Sequence, residues 1–334
     1  MDLEAQEIDK TLLFVDGMNL FIRSYLVDGT INANGDLYGG ATGFIRSLKG
    51  IIKQFKPSQV FVCWEQGGGS PKRKAIFSEY KANRSKSKDF DGIYKNDRDA
   101  LMHDSETKTR QLAFLTKCLG HLPIVQIYVK DCEGDDIVAY LIKNYFYNHK
   151  GTKYLVSSDK DFYQLLDKPN VKIYSPIKKE IISGDIVLEQ FKIHPKNFCL
   201  AKAICGDLSD NIPGVPGIKF DTASKRFPFL KEDKDVSIDE IIQYAKKHLE
   251  ENKKKPLKCY VEVVQNEDII RRNWQLMYLD ISLTASQIEK IKFRIQEFQP
   301  KVDMMGFLKC YSQNSLAITQ EIHQTPSDLK YLCS

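Results

Sequence analysis

Five short apolar runs, separated by stretches with helical spacing, constrain this chain more than any other feature. Lys10–Val15, Gln59–Trp64, Leu122–Val129, Tyr154–Val156 and Val171–Tyr174 read as buried strands. Between them, Gly43–Phe55 carries a helical stripe (Phe44, Ile45, Leu48, Ile51, Ile52), Leu112, Leu115 and Leu119 mark a helix stopping at Gly120, and Ile137–Tyr147 reads as another. Strands that alternate with helices predict an α/β fold: a mostly parallel central sheet covered by helices on both faces. Beyond residue 185 the pattern becomes helical. Leu200–Ile204, the turn-rich Asn211–Gly217 and Thr222–Phe227 read as helix, turn, helix, and Ser237–Glu240 as a capping box. The expected division is an α/β domain over 1–185 and a helical domain over 186–334.

A chain of 334 residues with 42% hydrophobic content has ample material for a buried core, which excludes a disordered chain or a small stapled scaffold. The longest apolar run, Ile137–Ile142, is far short of the ~20 residues of a membrane span. The acidic start, Met1–Glu7, does not fit a secretory signal, and eight scattered cysteines without a C-x-x-C pair indicate neither a zinc knuckle nor a disulfide framework. The expectation is a soluble cytoplasmic protein, with no membrane partner.

The formal charge is +5, and its distribution says more than its size. Between Lys72 and Arg98, nine basic residues face four acidic ones, so this segment carries the whole excess of the chain. A charged run of this kind is usually a solvated loop. Its position decides otherwise.

Placed on the expected sheet, the carboxylates gather. Asp16 follows the first strand, Glu65 the second, Glu133, Asp135 and Asp136 the third, and Asp159 and Asp161 the fourth. In an open parallel sheet, sites form at the carboxyl ends of the strands. Asp207 and Asp210 add a pair just before the helical turn motif. Singly, Asp159 or Asp161 reads as a cap for the helix through Phe162 and Leu165, and Asp135 as a cap for one beginning at Ile137. As a set, so many like charges would repel strongly without cations between them. Oxygen ligands without His or Cys point to Mg²⁺ or Mn²⁺, and a pair of such ions is a common means of cleaving phosphodiesters.

Val15–Leu20, Glu79–Arg84, Glu133–Asp136, Ser158–Phe162 and Gly206–Val215, in this order, resemble the motifs of the structure-specific 5′-nucleases, the flap endonucleases and 5′→3′ exonucleases of bacterial polymerases and bacteriophages. The compact, polymerase-free chain is most similar to the bacteriophage replication type, the phage ribonuclease H group. The resemblance covers about residues 11–225, with Arg272–Leu276 similar to a late family helix. It implies a PIN-like nuclease fold. It implies metal roles for Asp16, Glu133, Asp135, Asp136, Asp159, Asp161, Asp207 and Asp210, with Glu65 where the family has Asp. It places Lys81 and Arg84 in a helical arch, about residues 66–110, on the scissile phosphate, where a cation stabilises transition-state charge. Arg23, Arg73, Tyr80 and Lys202 become expected DNA contacts. Residues 198–227 become a helix–turn–helix clamp in which Gly214, Gly217 and Lys219 meet backbone phosphates and K⁺ is an expected ligand. Such contacts carry no sequence code.

The chain departs from the family pattern at three places: Glu65, a segment from Glu65 to Arg73 one residue longer than usual, and Lys219 and Asp221 where the family has Gly and a basic residue. No clamp-binding tail motif is evident at the carboxyl end. The expected function is a monomeric, divalent-metal-dependent 5′-nuclease acting on DNA ends, flaps and RNA primers in replication or repair, with ribonuclease H activity among those implied. A single-stranded DNA-binding protein is an expected partner. The alternatives are a junction-binding protein with weakened catalysis and an RNA-cutting nuclease on the same sheet.

Overall fold

The computed structural model describes residues 10–65, 70–82, 105–279 and 283–333. Arg84, and most of the segment expected to form the arch, lie outside the described residues.

The central sheet has six strands: β1 (Leu12–Asp16), β2 (Gln59–Trp64), β3 (Val125–Tyr128), β4 (Lys153–Val156), β5 (Val171–Ser175) and β6 (Glu180–Ile182). Their order is β3-β2-β1-β4-β5-β6. The first five run parallel, and β6 pairs antiparallel with β5. The five apolar runs are therefore all strands. β6 escapes the sequence pattern because three residues at an edge need no apolar run.

Alternate residues of β1 enter opposite layers. Leu13 and Val15 join Leu20, Phe21, Phe44, Ile45 and Leu115 from α1 (Gly17–Val27), α2 (Gly39–Phe55) and, past the short α3 (Pro71–Ile76), α4 (Ser105–Leu119). Leu12 and Phe14 join Ile137, Val138, Phe162 and Phe198 on the other face, the first two from α5 (Gly134–Tyr140) and the last from α7 (Pro195–Cys205). The helices thus cover one face while the chain winds from β1 to β3 and the other once it returns to β4. The order reverses between β1 and β4, so the crevice at their carboxyl ends is the place where such a sheet opens a site.

The chain then passes through α6 (Gly184–Phe191) and α7 to a tight turn: Gly206–Asp207 pairs with Ile212–Pro213 around a single 3₁₀ turn, before α8 (Phe220–Arg226). Later helices include α9 (Ile238–Glu251), α10 (Lys258–Gln265) and α11 (Glu267–Met277). The final ones, 304–313 and 320–328, pack Phe307, Tyr311 and Ile322 into the α1–α2–α4 layer, so the end of the chain returns to the first half. Among the described residues no helix is long and apolar enough to cross a membrane.

Candidate metal centre

Asp16 ends β1 and caps α1. One carboxylate oxygen accepts from the Asn19 N–H at 3.0 Å and the other from the Ser157 hydroxyl at 3.0 Å. Ser157, the residue after β4, also accepts from the Asp159 N–H at 3.1 Å. One buried hydroxyl therefore fixes the ends of β1 and β4 against each other. Burial pushes the Asp16 carboxyl up to about 7, with Glu65 and Asp159 adding to the rise against the Asn19 and Ser157 hydrogen bonds. Asp135, in the first turn of α5, is pushed well above the carboxylate range by burial, then by Asp16 and Asp159. Asp16, Glu65, Asp135 and Asp159, carried by different strand ends, thus form one group in which Glu65 and Asp159 disfavour charge on both Asp16 and Asp135.

A second group lies beside the first. Asp161, Asp207 and Asp210 place carboxylate oxygens within 4.8 Å of one another. The Lys202 ammonium, on the last turn of α7, bridges Asp161 and Asp207, reaching the latter at 2.7 Å. Burial raises Asp161 to about 6 despite Lys202, and Asp159 contributes to the rise. Asp207 falls to about 2: burial alone would raise it, but Lys202 and the Ser209 N–H and hydroxyl outweigh that. Asp159 acts electrostatically on both groups.

Glu133 and Asp136 are placed differently. Asp136 is fully buried and takes both terminal nitrogens of Arg73, at 2.7 and 2.8 Å. Glu133 accepts from the Ser70 N–H, the Tyr80 hydroxyl and the Lys81 ammonium at 2.6, 3.1 and 2.8 Å. It drops to about 2 because Lys81 and Arg73 more than offset its burial. These two carboxylates are neutralised by the protein's own cations.

Arg73 and Tyr80, expected as DNA contacts, point into the fold in this structure. Both are buried, and Arg73 also donates to the Leu276 carbonyl at the end of α11, at 2.7 Å. Lys81 is likewise turned inward, and its own N–H donates to the Asp210 carbonyl at 2.9 Å. Lys202 is held by the second acid group. Arg23 sits half-buried on α1, and Lys219 is exposed at the start of α8. The two glycines of the turn differ. A Cβ on Gly214 would meet the Cys205 carbonyl oxygen at 2.1 Å, so its smallness serves the protein's own chain crossing. Gly217 has φ +73° and open space around it.

Ser157 and Asn273 went unread in the sequence. Asn273 is fully buried and donates to the carbonyls of Ala203 and Pro213, at 2.9 and 2.8 Å, tying α11 to the acid turn. A signal was present for Ser157, which directly precedes the Ser158–Phe162 motif. Asn273 lies within Arg272–Leu276, which the resemblance marked without singling it out.

The 5′–3′ exonuclease N-terminal resolvase-like domain model matches residues 11–192, more than half of the chain. The chain belongs to this family. Its members are nucleases, and this one is a hydrolase of that type. It is 26% identical to the 5′–3′ exonuclease of Aquifex aeolicus over 314 residues, 92% of this chain and 98% of that one. Among solved structures, the zinc-bound T5 5′-exonuclease superposes with a TM-score of 0.68 at 22% identity, covering 86% of this chain and 99% of its own. The bacteriophage T5 flap endonuclease, in a pseudo-enzyme–product complex with DNA and metal ions, gives 0.64 at 20% identity, over 94% and 100%. The family match ends just after α6, so Asp207 and Asp210 lie beyond it.

Proposed function

We propose that this family member hydrolyses phosphodiesters at DNA 5′ ends, flaps and RNA primers, using two Mg²⁺ or Mn²⁺ ions held by the two carboxylate groups. The observation that carries the reading is the convergence of Asp16, Glu65, Asp135 and Asp159 beside Asp161, Asp207 and Asp210. The donor set fits hard cations: it is all oxygen, and burial with mutual repulsion makes its charge costly without them. The similarity to a flap endonuclease crystallised with DNA and metal ions supports the same reading.

Asp16, Glu65, Asp135 and Asp159 would hold one ion, and Asp161, Asp207 and Asp210 the other, with Asp159 able to serve both. Bound there, the ions would supply an activated water and stabilise charge at the scissile phosphate. The chain's own groups then position the strand. Lys81 would exchange Glu133 for the phosphate, with Arg84 beside it. Lys202 would yield the second carboxylate group and turn to the DNA backbone. Lys219 and the Gly217 turn would grip the duplex through its phosphates, and K⁺ binding at that turn belongs to the same reading. A monomer working beside a single-stranded DNA-binding protein completes it.

The test is a 5′-flap duplex incubated with Mg²⁺. Cleavage by the wild type, lost in Asp159→Ala while flap binding persists, is the expected result. Tight binding without cleavage by the wild type would overturn the nuclease reading in favour of a junction-binding protein.

A further inference from the structure

At the opposite end of the strands, where β4 and β5 begin, the fold holds a cavity of about 570 Å³. Lys143, His149, Lys150, Lys153 and Lys168 line it against a single acid, Asp167, and that acid pairs with Lys168 at 3.6 Å. Lys153 is the unusual member. It opens β4 on the face that carries Leu155 and is only 3% exposed. Among the described residues its ammonium makes one hydrogen bond, a long one of 3.3 Å to the Ile142 carbonyl, and no ion pair. An ammonium has three donors, and burying it without a counter-charge is costly. Its burial, then Lys150 and Lys168, hold it below the usual lysine range.

The walls are preformed. Asn170 donates to the carbonyls of His149 and Gly151 at 3.0 and 3.2 Å, and the Lys153 N–H returns to the Asn170 carbonyl at 2.8 Å. Tyr147, 66% exposed, stands in the lining and offers a planar apolar face. The volume lies within the ~300–1,000 Å³ usual for small-ligand sites. We infer that this cavity binds the phosphate of a nucleotide, with Lys153 as its buried anchor, Lys150 and Lys168 as rim cations and Tyr147 against the base. The phosphate comes from a free mononucleotide or from a nucleic-acid strand lying across the rim. The carboxylates lie beyond the other end of β4, roughly 10 Å of strand away at ~3.3 Å per residue, so the site is separate from the nuclease centre.

The experiment is calorimetric titration of the metal-free protein in EDTA, which keeps the carboxylate centre out of play, with inorganic phosphate, with dAMP and with a duplex oligonucleotide. For a free nucleotide, dAMP binds more tightly than phosphate, Lys153→Met weakens both at least tenfold, and Lys168→Ala weakens both severalfold. For a strand, Lys150→Ala and Lys168→Ala weaken duplex binding and lower its salt slope by about one each, while dAMP fails to bind. These exposed rim variants decide the matter even if Lys153→Met does not fold. Identical titrations for the wild type and the rim variants, with all three probes, would overturn the inference without touching the nuclease reading.

Discussion

Arg73 and Asp136 face each other through two nearly equal hydrogen bonds, 2.7 and 2.8 Å, with at most 3% exposure on either residue. The pair fastens the segment after β2 to the helix that carries Asp135. Since the third guanidinium contact goes to the Leu276 carbonyl, α11 is fastened too. Arg73→Ala would leave Asp136 as an uncompensated buried charge, so a loss of about 3–5 kcal/mol is expected in urea unfolding. Arg73→Lys should recover only part, because an ammonium cannot form the bidentate pair. An alanine variant as stable as the wild type would show that the pair is not structural.

Acid titration should distinguish the two kinds of carboxylate. Asp16, near 7, and Asp161, near 6, bind protons more readily folded than unfolded, where the ordinary value is 3.8. Their contribution to stability therefore declines as pH rises from about 4 to 7. Glu133 and Asp207, near 2, have the opposite sign: their stabilisation is present above about 4 and is lost as pH falls toward 2. Thermal melts in EDTA should peak in mild acid, and excess Mg²⁺ should flatten the decline toward pH 7. Asp16→Asn should raise the metal-free melting temperature at about pH 8, by a few degrees, while abolishing cleavage. A melting temperature in EDTA that climbs steadily from pH 5 to 8 would contradict this assignment.

Lys202 stands between two acids where a divalent ion is proposed. Lys202→Met keeps the stem but removes the charge, leaving Asp161 and Asp207 to repel. The metal-free variant should melt several degrees lower, and saturating Mn²⁺ should stabilise it by a larger increment than it does the wild type. Equal increments in the two proteins would mean that Lys202 and the ion do not compete.

The turn glycines should separate in the same way. Gly214→Ala forces a methyl against the Cys205 carbonyl and should break the turn, lowering both stability and duplex affinity. Gly217→Ala has room and loses only the left-handed preference, about 1–2 kcal/mol. Comparable melting temperatures for the two variants would show that the chain crossing at Gly214 relaxes freely.

Much of this architecture was legible because fully buried parallel strands leave continuous apolar runs. Phe61 and Val62 enter opposite layers, and both had to be apolar. The acids were legible because each directly follows such a run or opens a helix. The burial of Arg73 was not legible, because the resemblance implies only a DNA contact there. Its burial depends on Asp136 needing a partner, which neither local charge nor spacing reveals. The packing of Phe307 and Tyr311 onto the first half was equally hidden, since an amphipathic helix does not state which surface it will cover.

The antiparallel sixth strand has a further effect. By running back down the sheet it delivers the polypeptide to the lower rim, where Gly184 lies against the Leu166 carbonyl. From there α7 climbs and releases Asp207 beside Asp161. A crossover to another parallel strand would have brought those last acids out at the wrong end. One reversal of direction, in three residues with no chemistry of their own, thus lets a helix terminus complete an assembly that strand termini began.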